Sequence, residues 1–150
     1  MKVIKPPAPL VIDEAARVVF LAGSIEMGAA EHWQPRLTAM LGDVVVLDPR
    51  RDEWDASWRQ SIDEPKFREQ VEWELAGLER ADVIAMWFDA ATRSPITLLE
   101  LGLHARGGKL IVGCPPGFWR RGNIEVVCAR YNIPLHATWD EFAAAVTASS

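Results

Sequence analysis

The sequence predicts an α/β fold in which a parallel sheet lies between two layers of helices. Short β-branched apolar runs, such as "RVVFLAG" and "DVVVLDP", alternate with longer segments of helical periodicity along the chain. Strands that alternate with helices usually pair in parallel and are covered on both faces. With 150 residues, 49% of them apolar, the chain has the size of one domain with a substantial core. We therefore expect one doubly wound α/β/α domain over residues 18–150.

The individual elements follow from local signals. Residues 1–17 are rich in proline and are expected to form an irregular lead-in. Five buried strands are predicted in the stretches "RVVFLAG", "DVVVLDP", "ADVIAMWF", "KLIVGCP" and "IPLHA". Five helices are predicted at residues 29–41, 66–80, 95–106, 123–131 and 138–148. Thr138 is expected to cap the last helix, because Glu141 follows it at the spacing of a capping box.

Composition excludes several classes of function. The net charge of −5 argues against nucleic acid or an anionic membrane as a partner. No apolar run approaches the roughly 20 residues of a membrane span, and no signal peptide is recognised. Cys114 and Cys128 are expected to be free buried thiols, which suits a reducing cytoplasm. The three histidines form no visible triad or metal site, so we expect a cytoplasmic protein without metal or cofactor.

Three loops at the carboxyl ends of the predicted strands are candidates for ligand binding, since ligands of such folds gather there. They are "GSIEMG", "DPRRDEWDASW" and "FDAATRSP". In the first loop, the hydroxyl of Ser24 and the surrounding backbone predict a wall for a neutral, hydroxylated ligand, and Glu26 should repel a 5′-phosphate. The candidate contacts from the first and third loops are Gly23, Ser24, Ile25, Trp87, Asp89 and Ser94.

The seven tryptophans are many for this length. Trp54, Trp58 and Trp87 fall in or beside the ligand-side loops, where flat rings can sandwich a base or a sugar. The other four are expected in the core or at an interface, and they are Trp33, Trp73, Trp119 and Trp139.

The stretch "SPITLLELG" places one carboxylate, Glu100, in an otherwise apolar helix that Ser94 can cap. Helical spacing puts Glu100 on the face of Ile96, Leu99 and Leu103, which we expect to pack inward. The helix N-terminus and the hydroxyls of Ser94 and Thr97 should keep the carboxylate ionised, as a nucleophile requires. The alternative is a glutamate that reaches solvent or pairs with an arginine.

A second acid, Glu74, shares a helix face with Phe67, Val71 and Leu78. Two carboxylates on inward faces near the strand ends are typical of enzymes that act on glycosidic bonds. The alternative is a solvated acidic face, because Glu72 and Glu79 lie on the same helix.

Together, "FLAGSIEMG", "WELAGLERAD" and "SPITLLELG" resemble the nucleoside 2-deoxyribosyltransferase family, in its nucleoside deoxyribosyltransferase-like branch, over residues 18–135. The deoxynucleotide N-glycosidases are related to this branch. The resemblance implies a flavodoxin-like (Rossmann-like) five-stranded sheet and retaining chemistry at the anomeric carbon. It implies that Glu100 is the nucleophile and that Glu74 replaces an aspartate that handles base protonation. Ser94 stands where the transferases carry another aspartate and the glycosidases a serine.

The resemblance also implies base recognition and assembly. The branch would read the base with the loop after the second predicted strand, through Arg50, Asp52 and Trp54. Asn123 would play the part of an asparagine inserted from a neighbouring subunit. The surface around Phe118 and Trp119 is apolar enough to suggest a homodimer or a higher homo-oligomer.

The sequence is therefore consistent with two functions. The first is an enzyme of nucleotide salvage that cleaves or exchanges the N-glycosidic bond of a (deoxy)nucleoside through a covalent glutamyl-sugar intermediate, by transfer or by hydrolysis. The second is a non-catalytic protein that binds or senses a nucleoside or nucleotide derivative. Glu100 favours the enzyme, whereas the departures at Glu74 and Ser94 favour the sensor.

Overall fold

The computed structural model describes residues 1–25 and 31–150. Glu26, and the first two residues of the helix predicted at 29–41, lie outside the described residues. The six described strands are β1 (Lys2–Ile4), β2 (Val18–Gly23), β3 (Val45–Leu47), β4 (Val83–Trp87), β5 (Leu110–Gly113) and β6 (Leu135–His136). The five described helices are α1 (Trp33–Thr38), α2 (Pro65–Arg80), α3 (Pro95–His104), α4 (Arg121–Tyr131) and α5 (Trp139–Ser149). None of these helices is long and apolar enough to cross a membrane.

All strand pairs are parallel, in the order β1-β3-β2-β4-β5-β6. Without β1 this is the flavodoxin-like order, so the predicted fold class is confirmed. The strand that reverses the order is β2, which pairs with β3 on one side and β4 on the other. The crevice for a ligand is therefore expected beyond the carboxyl ends of β2 and β4.

In the part of the chain that the structure describes, the sheet has six strands instead of the five predicted, because residues 2–4 of the expected irregular lead-in form a strand. Residues 2–4 pair with β3 as an edge strand, ahead of the first proline. The segment that follows is held by Trp73, whose indole N–H donates to the carbonyl of Ala8 at 2.8 Å. The prolines that suggested an irregular lead-in follow this short strand, and they concealed it in the sequence.

The core consists of two clusters on opposite faces of the sheet. One face packs against α2, α3 and α4, through side chains such as Leu78, Leu101 and Ile124. The other face packs against α1 and α5, through Trp33 and Phe142 among others. The predicted candidates Glu74 on α2 and Glu100 on α3 therefore lie on the same side of the sheet.

The packing face predicted for α3 is wrong. Ile96, Leu99 and Leu103 are each 58% exposed, whereas Thr97 and Leu101 are buried. The reason is that α3 carries apolar residues on almost every side, so helical spacing alone cannot select the stripe that packs. The structure leaves an apolar stripe of α3, formed by Ile96, Leu99 and Leu103, on the surface.

The termini of two helices test the predicted caps. Thr138 caps α5 as predicted, since its hydroxyl accepts a hydrogen bond from the Glu141 backbone N–H at 3.3 Å. Ser94 precedes α3 but its side chain makes no capping bond, and its backbone is left-handed with φ of +46°. Its hydroxyl instead contacts two other buried hydroxyls, described below.

Candidate active site

Three buried hydroxyls join the ends of β2 and β4. The Ser24 oxygen lies 2.9 Å from that of Thr92 and 2.5 Å from that of Ser94, and the latter two are 2.7 Å apart. The backbone N–H of Asp89 donates to the Ser24 hydroxyl at 2.9 Å, and Thr92 donates to the Asp89 carbonyl at 2.9 Å. This hydroxyl cluster fixes the two loops that border the expected crevice.

The side chain of Asp89 extends this network. One carboxylate oxygen accepts from the backbone N–H of Ala91 at 2.8 Å, and the other accepts from that of Glu31 at 3.0 Å. The carboxylate therefore bonds its own loop and the residue that leads into α1. Of the predicted contacts, Ser24, Asp89 and Ser94 meet directly, and Gly23 and Ile25 adjoin them in sequence.

Glu100 and Glu74 form a pair of interacting carboxyls. Burial, and secondarily the negative charge of Glu74, raise the pKa of Glu100 to about 8. Both side chains are half-buried. The expectation that Glu100 is kept ionised is therefore wrong for the free protein at neutral pH. The Ser94 hydroxyl, one of the groups expected to stabilise that charge, is instead bonded to Ser24 and Thr92.

Among the described residues, Glu74 has a hydrogen-bond donor and Glu100 has none. Burial raises the pKa of Glu74, and the N–H of Gln70 opposes this effect. The Gln70 amide nitrogen lies 2.7 Å from a Glu74 carboxylate oxygen and 2.9 Å from the carbonyl oxygen of Pro49. Gln70 thus connects α2 to the loop after β3. Sequence reasoning missed it, although the spacing of four residues between Gln70 and Glu74 was available as a signal.

Arg50, in the loop after β3, contacts a histidine that the sequence gave no reason to select. Its guanidinium lies 2.8 Å from the Nε2 atom of His32. Because arginine only donates, the Nε2 atom of His32 accepts in this contact. A second guanidinium nitrogen of Arg50 is buried without a hydrogen-bond partner among the described residues. Within the described part of the chain, Arg50 therefore retains an unused donor.

The other two predicted base contacts, Asp52 and Trp54, each have a partner in the structure. Asp52 pairs with Lys5 at 2.9 Å. Trp54 lies edge-on to Trp58, with ring centroids 5.1 Å apart. The guanidinium of Arg51 in turn lies 5.0 Å from the Trp58 ring centroid. Asp52 and Trp54 both remain exposed.

Trp87 is the last residue of β4, beside the third candidate loop, but its ring lies in the core. Its ring packs against those of Trp139 and Phe142, with centroids 5.2 and 5.4 Å away. These residues belong to the core on the α1 and α5 side of the sheet, opposite the face that α2 and α3 cover. This position does not support the predicted contact between Trp87 and the ligand. All five residues of β4 are buried, so burial does not distinguish the two faces of the sheet. The alternation of side chains along the strand places Trp87 on the α1 and α5 face.

The predicted surface around Phe118 and Trp119 also differs. Phe118 is buried, with its ring 5.0 Å from that of Phe88. Trp119 is 47% exposed, but Arg93 and Arg120 lie over its ring and its N–H donates to the Arg93 carbonyl. This surface is therefore less apolar than its sequence suggests. Asn123, also exposed, lines a groove between α3 and α4.

A family model described as nucleoside 2-deoxyribosyltransferase like matches residues 16–118, well over half of the chain. The chain belongs to the nucleoside 2-deoxyribosyltransferase-like family. No curated protein matches the chain.

The family match contains most of the candidate site. Residues 16–118 include the hydroxyl cluster, the loop after β3 and both carboxyls, whereas Asn123 lies beyond the matched range. The family supports an enzyme of nucleoside chemistry with a small-molecule nucleoside as substrate. The sequence resemblance to this family, stated from three short stretches, is thereby confirmed.

Proposed function

We propose that this protein cleaves or exchanges the N-glycosidic bond of a (deoxy)nucleoside, in nucleotide salvage in the cytoplasm. The observation that carries the proposal is the interacting pair of Glu74 and Glu100, which lies within the part of the chain that matches the family. Paired carboxyls in different environments can divide the roles of acid and nucleophile between them.

In the proposed reaction, the Glu100 carboxylate attacks C1′ of the sugar. The C–N bond breaks, its electron pair goes to the base nitrogen, and the base leaves with a proton supplied from the Glu74 side. The product is a glutamyl-sugar ester, which water or a second base then opens. Because Glu100 has a pKa of about 8, it is mainly protonated in the free protein at pH 7. The pair must therefore move this proton towards the base before Glu100 can attack.

Substrate contacts are proposed from both sides of the crevice. Ser24, Asp89 and Ser94, joined by the hydroxyl cluster and flanked by Gly23 and Ile25, would border the sugar. The unused donor of Arg50 supports its role as a base contact, with Asp52 and Trp54 nearby in sequence.

The direct test is release of free base from a panel of deoxynucleosides, ribonucleosides and their 5′-monophosphates, with and without a second base.

Glu100→Gln should lower turnover by several orders of magnitude while preserving the fold, because the nucleophile is lost. Glu72→Gln is the matched control, since Glu72 lies on α2 but is exposed and pairs with Arg68. Substantial turnover in Glu100→Gln would refute the assignment, and better cleavage of monophosphates would refute the expected preference for free nucleosides.

The second candidate is a protein that binds a nucleoside derivative without turnover. Protonation of Glu100 at neutral pH favours this function, because a neutral carboxyl is a poor nucleophile. Calorimetry with the same panel separates the two. Tight binding with no base release in any arm would establish the sensor.

We also propose a homo-oligomer, with the surface stripe of α3 as the interface. Ile96, Leu99 and Leu103 are exposed on the helix that carries Glu100. A stripe of this kind can pack against its own copy about a two-fold axis. Such a dimer would bring the partner's surface close to the carboxyl pair, where Asn123 was expected to contribute.

A further inference from the structure

The amide of Gln70 bridges the carboxyl pair and the loop after β3. The side chain is 5% exposed, and its nitrogen contacts both Pro49 and Glu74 at the distances given above. A peptide carbonyl can only accept a hydrogen bond, so the NH₂ end of the amide must face Pro49. This fixes the orientation of the amide and assigns one of its N–H groups to Pro49 and the other to Glu74.

The two carboxyls therefore differ in what stabilises their charge. An N–H donated to a carboxylate favours its ionised form. Glu74 accepts such a bond from Gln70, whereas the Glu100 carboxyl has no donor in the part of the chain that the structure describes. The charged group that acts on Glu100 is Glu74, a like charge. Glu74 is thus the better site for the negative charge, and Glu100 the better site for the proton.

We propose that Gln70 is a positioning residue that holds the Glu74 carboxylate against the loop after β3 and keeps it the ionised member of the pair. The consequence for catalysis rests on the proposed function. One proton passes from Glu100 to Glu74, Glu100 then attacks C1′, and the departing base takes the proton from Glu74. Protons and charge balance in this sequence without any further reactant.

The amide of Gln70 combines two donated bonds with a cost in stability. Its carbonyl oxygen is buried and has no hydrogen-bond partner among the described residues, which lowers stability. Its two N–H groups pair with Pro49 and Glu74, and an apolar side chain at this position would donate to neither. A methionine has a similar shape, so Gln70→Met removes both bonds with little change in packing.

The test is a pH titration of the glutamate carboxyls by ¹³C NMR in the wild type, Gln70→Met and Gln34→Met. Gln34 is the matched control, because it is also buried and its amide has no partner among the described residues. It lies on α1, on the opposite face of the sheet. The Glu74 pKa should rise by about one unit in Gln70→Met and stay unchanged in Gln34→Met, since only the first change removes a bond to the carboxylate.

An unchanged Glu74 titration in Gln70→Met would overturn the proposal, and so would an equal shift in Gln34→Met. If circular dichroism shows that Gln70→Met does not fold, Gln70→Asn decides by the same criteria, because its amide is one methylene too short to bridge Pro49 and Glu74.

The titration needs no turnover, so it gives a result even if the protein releases no base and the proposed function fails. In an active protein, the acid limb of the kcat/KM profile should move to higher pH in Gln70→Met, whereas a uniform loss of rate at every pH would count against the proposal.

Discussion

Burial controls the chemistry of Glu100 at the level of the single residue. An exposed glutamate would titrate near 4.5, whereas Glu100 titrates at about 8 because desolvation and Glu74 both disfavour its charge. Such a shift is typical of catalytic carboxyls. It also makes the folded state sensitive to pH.

The direction in which pH changes the free energy of unfolding follows from the number of protons that the folded and unfolded states bind. Between pH 4.5 and about 8 the unfolded chain has an ionised Glu100 while the folded protein retains the proton. Rising pH in this window therefore favours unfolding. Glu100→Gln cannot titrate, so relative to the wild type its free energy of unfolding should increase with pH, by on the order of a few kcal/mol across the window.

Urea unfolding at several pH values checks this prediction. Glu72→Gln provides the control, because it removes an exposed carboxyl of α2 that pairs with Arg68 and not with Glu100. A difference between Glu100→Gln and the wild type that does not vary with pH would contradict the raised pKa.

For single residues, the sequence was enough to select the candidate acids and hydroxyls, but it did not predict whether the acids are protonated. Glu100, Glu74 and Ser94 could be chosen from motifs and spacing. The pKa of Glu100 depends on how completely the folded chain excludes water, which helical spacing does not report. Gln70 was missed because its role depends on the Pro49 carbonyl, which only the tertiary fold brings within reach.

The pairing of β2 with β4 depends on one glycine at the edge of the site. A Cβ on Gly23 would lie 2.3 Å from the Trp87 carbonyl oxygen, and the φ of Gly23 is +145°. Both the contact and the backbone conformation exclude larger residues. Gly23 therefore allows the two strands to approach closely beneath the hydroxyl cluster.

Gly23→Ala should lower the free energy of unfolding by several kcal/mol, because the strands must separate to admit the methyl group. Gly42→Ala is the control, since a Cβ there would meet nothing within 4 Å. Thermal unfolding followed by circular dichroism measures both. Equal melting temperatures for the two variants would show that the strands do not approach as closely as described.

The helix α3 shows the limit of prediction at the scale of the element. Its limits were predicted well, from Pro95 at the start and glycines after its end. Its packing face was not, because a helix that is apolar nearly all round fits the sheet in several rotations. The rotation observed buries Thr97 and Leu101 and exposes Leu99.

For the whole molecule, alternating strands and helices were enough to predict the fold class. The parallel pairing follows from that alternation, whereas the flavodoxin-like strand order was expected from the family resemblance. The edge strand β1 was missed because three residues beside a proline-rich stretch carry too little pattern. The surface used for assembly was harder to predict, because the sequence does not show which apolar side chains are exposed. Phe118, which was expected on that surface, is buried.

The proposed interface gives a prediction at this scale. Leu99→Asp places a charge in the α3 stripe and should convert an oligomer into a monomer, because burying an unpaired charge is costly. Val11→Asp is the control, since Val11 is 72% exposed and lies far from α3 in sequence. Light scattering at micromolar concentration measures the molar mass of the wild type and of both variants. A monomeric wild type would refute the interface.

Glu100 is proposed to form a covalent bond with the sugar. A slow 2-fluoro-2-deoxynucleoside substrate, incubated with the wild type, Glu100→Gln and Glu72→Gln, tests it most directly by intact-protein and peptide mass spectrometry. We expect a fluorodeoxyribosyl adduct on the wild type and on Glu72→Gln, located on the peptide that contains Glu100, and none on Glu100→Gln. Release of free base without any adduct, or an adduct that persists in Glu100→Gln, would contradict the assignment.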